Sequence, residues 1–156
     1  MSAGTRRHVV TFALGEELFA ADVHEVERVL RYRQPAPVPR LPDWVAGLVE
    51  HEGRSLAVVD LRRRFQLPPA PADVEPRIVV IGGAEGRVGA IVDRVVDVTS
   101  VGADQLDPAP ALFRGLSGDY LQGVLRRDGR LIVVLHAARL LSATERMMLA
   151  AASADA

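Results

Sequence analysis

The sequence predicts a mainly β fold that contains two similar halves. Short runs rich in valine, isoleucine and leucine alternate with turns rich in glycine and proline, which is the pattern of strands rather than of long helices. A segment near the middle of the chain also recurs near its end. The 156 residues suit one domain with enough interior to fold without disulfides. We therefore interpret residues 1–156 as a single domain.

The first half of the chain reads as strands separated by tight turns. Residues 8–14 (HVVTFAL) form a β-rich run, and Gly15 opens a turn before the next apolar stretch. Residues 21–32 (ADVHEVERVLRY) place three valines and a leucine at helical spacing, which favours a short helix, although their β-branched content equally fits a strand. Four prolines between 35 and 42 exclude a helix there and predict an extended surface segment.

The clearest loop and the clearest buried strand lie near the middle of the chain. Residues 66–76 hold four prolines and few large apolar groups, so we expect an exposed loop without regular structure. Residues 77–81 (RIVVI) predict a buried strand, and residues 88–101 predict one long strand or two. Near the end, Ser142 and Glu145 have the spacing of a capping box, which predicts a helix from Ser142 onward.

The two halves are related by a repeat at a constant offset of 76 residues. The segment 47–65 (GLVEHEGRSLAVVDLRRRF) aligns with 123–141 (GVLRRDGRLIVVLHAARLL). Each copy reads as a β run, an acidic residue followed by Gly-Arg, and a second β run. Acidic-Gly pairs supply the positive φ that a two-residue hairpin needs. We therefore expect Gly53 and Gly129 to lie at equivalent hairpin turns.

Three residues just before the first of these glycines could carry chemistry. Glu50, His51 and Glu52 could form a metal site, an acid/base site or a solvated turn. On a regular strand the two glutamates point to one face and His51 to the other, so the three cannot converge on one ion. The other histidines show no HxxxH or HxH spacing. The sequence thus favours a solvated hairpin tip, and we expect no metal site.

Composition and motifs argue against catalysis and against nucleic-acid binding. The formal net charge is -1, and all 19 basic residues are arginine, which excludes a P-loop or Schiff-base lysine. Cysteine is absent, which excludes thiolate chemistry. No serine lies in a G-x-S-x-G elbow, and the glycine-rich stretch 82–89 precedes a β pattern rather than the helix that a nucleotide fingerprint opens. We expect no catalytic residue and no cofactor.

The basic run formed by Arg62, Arg63 and Arg64 allows two interpretations. The favoured one is the solvated face of a short helix that follows a strand. The functional alternative is an anchor for an acidic partner. A single run of three, in a chain with few aromatic residues, does not make a nucleic-acid platform.

The sequence carries no signal for export or membrane insertion. The two arginines near the N-terminus are not followed by a long apolar segment. The longest aliphatic runs, such as LIVVL at 131–135, are far shorter than a membrane span. We expect a soluble cytoplasmic protein.

In the order and spacing of its segments the chain resembles the CheW family, the adaptors that couple chemoreceptors to the histidine kinase CheA. The resemblance covers about residues 8–150. It rests on VVTFALGEELFAADVHEVERVLRY at the start, on PVPRLPDWVAGLV and GRSLAVVDLRRRF, and on IVDRVVDV, YLQGV and DGRLIVVLHAARLL towards the end. It implies two similar, interleaved SH3-like barrels of five strands packed on a common core, with short helices and a C-terminal helix.

The resemblance also implies partners and a site. Family members bind the regulatory domain of CheA and the cytoplasmic tip of a chemoreceptor, and they join membrane-associated receptor arrays without entering the membrane. The partner-binding positions that this implies here are Arg28, Val29, Gly47, Glu52, Gly53 and Arg54.

Two of these positions carry the opposite charge from the usual family pattern. The family usually reads V-x-E-V/I where this chain reads VERV at 26–29, and N-L-R-G where it reads EHEG at 50–53. The glutamate of the family therefore falls on Arg28, and its arginine falls on Glu52. Because both signs change together, we expect these side chains to form an ion pair of reversed polarity. A proline usual in the following strand is replaced by Ala57.

The functional hypothesis is a non-enzymatic adaptor that couples a receptor or sensor to a CheA-like histidine kinase in a specialised pathway with altered receptor recognition. A non-chemotactic pathway that controls surface motility, development or second-messenger output stays open within it. The alternative from another class is a small β-barrel enzyme or ligand-binding protein with an unrecognised site.

Overall fold

The part of the chain that the structure describes is built from eleven strands. The structure is a computed structural model, which describes residues 6–83, 86–108 and 121–136. The strands are β1 (Arg6–Leu14), β2 (Glu17–Asp22), β3 (Val26–Arg31), β4 (Val45–His51), β5 (Arg54–Asp60), β6 (Arg77–Gly83), β7 (Gly86–Val92), β8 (Arg94–Gly102), β9 (Leu106–Asp107), β10 (Leu121–Arg127) and β11 (Arg130–Leu135). Short helical segments lie between them: 3-10 turns at Val23–Glu25 and Ala103–Gln105, and helix α1 at Leu61–Arg64. None of the helices in these residues has the length and apolar character to cross a membrane.

The strands form two sheets of matching order. One sheet has the order β3-β6-β7-β5-β4, and the other has the order β8-β1-β2-β11-β10-β9. Each contains one parallel pair, β5 beside β7 and β11 beside β2, among antiparallel neighbours. The predicted mainly β fold of two similar SH3-like barrels is confirmed. We call β3 to β7 the first barrel, and β8 to β11 with β1 and β2 the second barrel.

The second barrel is a circular permutation of the first. The places of β3, β4, β5, β6 and β7 in the first sheet are taken in the second by β8, β10, β11, β1 and β2. The first barrel is therefore continuous in sequence, whereas the second joins two segments from either side of it. This is the physical form of the interleaving that the family resemblance implied.

Alternate residues of the repeated strands face two different interiors. Those that face the interior of their own barrel are Leu56 and Val58 in β5 and, 76 positions later, Ile132 and Val134 in β11. The residues that follow them face a core shared by both barrels, and they are Ala57, Val59, Val133 and Leu135. Strand alternation thus divides each copy of the repeat between its own barrel and the common core.

The predicted equivalence of Gly53 and Gly129 is confirmed. Each is the second residue of a two-residue hairpin turn, with φ of 76° at Gly53 and 77° at Gly129. The residue before each glycine is also left-handed, with φ of 51° at Glu52 and 52° at Asp128. Positive φ at both central residues is what a type I′ turn requires.

The short helix favoured over residues 21–32 is not observed. Within this range, only the 3-10 turn Val23–Glu25 is helical, and the chain continues as β3 from Val26. Asp22 ends the preceding strand and accepts a hydrogen bond from the His24 N–H at 2.9 Å. The strand alternative is correct, because pairing of β3 with β6 outweighs a weak helical spacing.

The loop and strand predictions for residues 66–101 are confirmed. Residues 66–76 are irregular and mostly exposed. Residues 77–81 lie in the buried strand β6, and residues 88–101 divide into β7 and β8 at Asp93. The helix expected from Ser142 lies outside the described residues.

Candidate functional site

The two positions of reversed charge meet at one end of the first barrel. Arg28 lies on β3, and Glu52 lies in the turn between β4 and β5. The Nη1 atom of Arg28 is 3.8 Å from the Oε1 atom of Glu52, so the expected ion pair is confirmed. The two side chains are 59% and 50% exposed, and solvent therefore screens the pair so that it adds little to stability.

Arg87 on β7 connects this pair to a second carboxylate. Its Nη1 donates a hydrogen bond to Oε2 of Glu52 at 3.2 Å, and its Nε lies 2.9 Å from Oε2 of Glu27. Charges therefore alternate along a network that runs from Arg28 through Glu52 and Arg87 to Glu27. Sequence reasoning missed Arg87 and Glu27 because their proximity depends on how β7 and β3 are placed in the sheet, and no local motif signals it.

A β-bulge explains how the chain neighbours Glu27 and Arg28 both reach this network. Successive residues of a regular strand point to opposite faces. The register of β3 against β6 shifts between Val26 and Arg28, so Glu27 is the extra residue of a bulge and its side chain is redirected. Glu27 also fills the space beside Gly82, where a Cβ would lie 2.7 Å from the glutamate Oε2.

The network holds Glu52 in its ionised form. The hydrogen bond from Arg87 is the main cause that lowers the pKa of Glu52, and the charge of His51 acts in the same direction. Slight burial opposes them, and the charges of Arg87 and Arg28 add smaller favourable effects. Arg87, rather than Arg28, therefore dominates the electrostatics of Glu52.

His51 does not point away from Glu52 as strand alternation predicts. Its side chain is only 9% exposed, and its Nε2 lies 3.7 Å from Oε1 of Glu52. Alternation stops at Glu52 because this residue has left the strand for the left-handed conformation of the turn. Glu50 is exposed. Among the residues that the structure describes, no group of three or more histidine, aspartate or glutamate side chains could hold a metal ion.

A cleft of about 570 Å³ lies beside the charged network. Glu27 and Arg87 form part of its wall, together with Arg54 from the hairpin and the imidazoles of His24 and His51. These groups offer hydrogen bonds and charge rather than an apolar surface. The cleft therefore suits a polar or charged group of a partner.

The other predicted partner positions divide into exposed and buried ones. Val29 lies on the edge strand β3 and is 42% exposed, and Arg54 and Gly53 are exposed on the hairpin. Gly47 is buried, and a Cβ there would lie 2.1 Å from the carbonyl oxygen of Ala36. Gly47 thus allows two backbones to approach, whereas the exposed positions can meet a partner directly.

Arg62 is not part of a solvated face, which corrects the interpretation favoured for the arginine run. Its Nε donates to Oδ1 of Asp93 at 3.0 Å and its Nη2 donates to Oδ2 at 2.5 Å, with the two side chains only 12% and 11% exposed. The Gly15 N–H donates to the same carboxylate at 2.6 Å. Because Arg62 follows β5 and Gly15 follows β1, this cluster ties the two barrels together.

The hydrogen bonds of this cluster outweigh the effect of its burial. Burial acts to raise the pKa of Asp93, but the hydrogen bonds from Arg62 and Gly15 and the nearby positive charge lower it overall. The hydrogen bond to Asp93 raises the pKa of Arg62 in turn. The pair is therefore ionised at neutral pH.

The other two arginines of the run differ from Arg62 and from each other. Arg63 is 61% exposed, as the favoured interpretation predicts, and its Nε lies 3.5 Å from Oδ2 of Asp60. The Arg64 guanidinium lies over the ring of Trp44, 4.8 Å from its centroid. The run therefore mixes internal contacts with one solvated side chain, and this weakens its interpretation as an anchor for a partner.

Comparisons with known proteins show the family and the fold of this chain. Residues 8–145 match the family model described as the CheW-like domain. The Chemotaxis protein CheW of Treponema pallidum is 27% identical over 146 residues, which cover 91% of this chain and 86% of the relative. The Chemotaxis protein CheW of Klebsiella aerogenes is 30% identical over 134 residues, which cover 86% of this chain and 81% of the relative. The scaffolding protein TtCheW from Thermoanaerobacter tengcongensis has a similar fold, with a TM-score of 0.74 and 23% identity over 84% of this chain and 89% of that one.

Proposed function

The chain belongs to the CheW-like domain family, and from that premise we propose that it joins a receptor to a CheA-like histidine kinase in a pathway kept apart from the standard one. The family consists of non-enzymatic scaffold proteins of chemotaxis signalling, so the enzyme alternative is set aside. The two partners of this chain are the regulatory domain of the kinase and the cytoplasmic tip of a receptor, at which the protein joins a membrane-associated array.

The observation that carries the proposal is the reversed ion pair between Arg28 and Glu52. In the usual family pattern these two positions hold glutamate and arginine, in that order. Reversing the charge at both positions keeps the pair neutral. A partner, however, meets a positive charge where the usual pattern has a negative one, and the reverse. A partner shaped for the usual arrangement would bring like charges together, and such juxtaposition costs several kcal/mol in an interface. Charge reversal therefore admits one set of partners and repels another.

Arg87 gives the reversal structural support. It binds Oε2 of Glu52, whereas Arg28 lies near Oε1, and it neutralises Glu27 as well. An arginine placed at position 52 would face Arg87 across the same distance. Restoring the usual polarity therefore requires a third change, at Arg87.

The proposed partner surface consists of the exposed members of the set identified in the sequence. Arg28 and Val29 lie on the free edge of the first sheet, and Glu52, Gly53 and Arg54 lie on the hairpin beside them. Gly47 is buried in β4 of the same hairpin, where it packs against the backbone of Ala36 and is not open to a partner. Edge strand and hairpin tip together give a partner both backbone and side-chain contacts.

Binding to the kinase tests the scaffold role. The regulatory domain of the CheA-like kinase from the same organism is immobilised, and retention of the purified protein is measured. We expect retention with a dissociation constant that is unaffected by variants of the remote loop 66–76. Failure to retain the protein, at concentrations where a standard CheW is retained by its own kinase, would contradict the scaffold role.

Binding to receptor tips tests the separation from the standard pathway. The natural protein is compared with the triple variant Arg28→Glu, Glu52→Arg, Arg87→Val for binding to hairpin tips of standard chemoreceptors. We expect the triple variant to bind these tips at least roughly tenfold more tightly, since two like-charge contacts are removed. Equal binding by the natural protein and the variant would remove the basis for a separate pathway.

A further inference from the structure

The hairpin tip of the second barrel presents arginines that have no acidic partner among the described residues. Arg126, Arg127 and Arg130 surround the turn, and the carboxylate of Asp128 is the sole acidic group of the tip. All residues from 126 to 131 are exposed. The ion pairs recorded among the described residues include none from these arginines.

The equivalent tip in the first barrel provides an internal comparison. There the corresponding residues are Glu50, His51, Glu52 and Arg54, and the charge of Glu52 is matched by Arg28 and Arg87. The first tip thus carries two carboxylates and one guanidinium, whereas the second carries three guanidiniums and one carboxylate. The same turn geometry has therefore been given opposite charge in the two copies.

The second tip places two like charges at directly opposed positions of its strands. Arg127 and Arg130 are direct cross-strand partners. Directly opposed residues of an antiparallel pair project to the same face with their Cβ atoms about 5 Å apart, and like charges at such positions are destabilising. Nη2 of Arg130 is also fixed, because it donates to the Glu16 carbonyl oxygen at 2.6 Å.

We propose that the β10–β11 hairpin tip docks an acidic segment of a partner protein, with a carboxylate held between Arg127 and Arg130. A carboxylate between the two guanidiniums would relieve their repulsion and accept charge-assisted hydrogen bonds from both. Arg126 adds positive charge on the other face, where it is paired with Leu131, a leucine that is 41% exposed. The partner segment is therefore one in which acidic residues stand beside an apolar residue.

The charge pattern favours a protein over a nucleic acid. Asp128 stands at the centre of the tip and would repel a continuous row of phosphates. The residues from 126 to 131 include no aromatic side chain on which a base could stack. The β10–β11 tip belongs to the second barrel, whereas the reversed ion pair belongs to the first. The inference therefore does not depend on the proposed receptor recognition.

In the test, an acidic peptide built of Glu-Ala-Leu-Glu repeats is titrated into the full-length protein at low ionic strength. Binding is measured by the chemical-shift changes of the protein's backbone amide resonances. We expect saturable shifts that centre on residues 126 to 131 and fade as salt is added. The variant Arg126→Gln, Arg127→Gln should bind the peptide roughly tenfold more weakly, the effect of losing two exposed ion pairs. The control variant Arg31→Gln, Arg40→Gln removes the same charge from exposed sites elsewhere and should bind normally.

A stability measurement separates docking from a structural role. Because Arg127 opposes Arg130, the Arg127→Gln variant should unfold at the same or a higher urea concentration while it binds the peptide less well. A stability loss in parallel with the binding loss would overturn the inference. Equal weakening by the control variant, or shifts that centre on the first-barrel hairpin, would overturn it too. So would an equally strong response to a control peptide in which every glutamate is replaced by glutamine. Tighter binding of a short DNA duplex at the same residues would assign the tip to nucleic acid and would also overturn it.

Discussion

Gly47 and Gly123 hold the same place in the two barrels, each beneath the backbone carbonyl of a neighbouring segment. A Cβ at Gly47 would lie 2.1 Å from the Ala36 oxygen, and one at Gly123 would lie 2.3 Å from the Asp107 oxygen. Their φ angles are 141° and 155°, and a register shift precedes each of them. The repeat thus preserves a close approach of two backbones that a side chain would block.

Replacing either glycine by alanine should therefore destabilise the protein strongly. We expect Gly47→Ala and Gly123→Ala each to lower the free energy of unfolding by on the order of 3 kcal/mol, since a backbone must move and φ is strained. Gly53→Ala is the matched control, because φ is positive there but nothing lies within 4 Å of its Cβ position. It should cost about 1 kcal/mol. Equilibrium unfolding in urea measures all three, and a loss at Gly47 no larger than that at Gly53 would contradict the interpretation.

Removing Arg87 should raise the pKa of Glu52 more than removing Arg28 does. Arg87 donates the hydrogen bond that is the main cause of the lowered pKa, whereas the charge of Arg28 is the smallest contribution. A carbon-detected NMR titration of the Glu52 carboxyl group in Arg87→Gln and Arg28→Gln reports the difference. Arg127→Gln, on the opposite barrel, should leave this titration unchanged. A larger rise in Arg28→Gln would show that the reversed pair, and not Arg87, controls Glu52.

The Arg62–Asp93 pair should make stability decline at acid pH. The pKa of Asp93 is lowered in the folded state, so its contribution is complete above the unfolded value, about 3.9. The contribution is lost as pH falls through the lower folded pKa, because the unfolded state then binds the proton more readily. Asp93→Asn should cost about 3 kcal/mol at neutral pH by leaving Arg62 unpaired in a nearly buried position. It should also flatten the dependence of stability on pH in the acid range.

Urea unfolding at a series of pH values tests this, with Asp60→Asn as the control. Asp60 contacts the exposed Arg63 at 3.5 Å and should matter less. An acid slope in Asp93→Asn as steep as in the natural protein would assign the pH dependence to other carboxylates.

The shared core should make the two barrels unfold together. Phe19 of β2 stacks on Phe65, which follows α1, with ring centroids 4.9 Å apart. Phe19 belongs to the second barrel and Phe65 is joined to the first, so the contact crosses between them. Phe19→Ala should cost about 3–5 kcal/mol. Unfolding in urea can be followed by the fluorescence of Trp44, the single tryptophan, and by far-ultraviolet circular dichroism. In the variant both probes should report the same, lower unfolding midpoint. Two separate transitions would show that the barrels are energetically independent.

The hairpins were predictable from local sequence, and the reversed pair was predictable from comparison with the family pattern. Acidic-Gly pairs dictate left-handed turns wherever they occur, and a repeat makes two of them equivalent. The partnership of Arg28 and Glu52 followed from two coupled departures from a family pattern. Neither required knowledge of the sheet order.

Other features depend on sheet order and could not be predicted. Arg87 and Glu27 are brought together by the placement of β7 and by a bulge, which leave no mark in the local sequence. Arg62 looks like one of three equivalent surface arginines until Asp93 and Gly15 are placed beside it. The helical spacing in residues 21–32 gave a wrong prediction of a helix, because an edge strand of six residues can carry valines at almost any spacing.

The permuted order of the barrels has a consequence for synthesis on the ribosome. The strands of the first barrel are contiguous, so its sheet can be completed once Val92 has emerged. The strands β1 and β2 emerge first, yet β1 must wait for β8 and β2 must wait for β11, which ends at Leu135. The outer edges of β1 and β2 therefore stay unpaired longest, and the barrel whose first two strands emerge before all others is the barrel completed last.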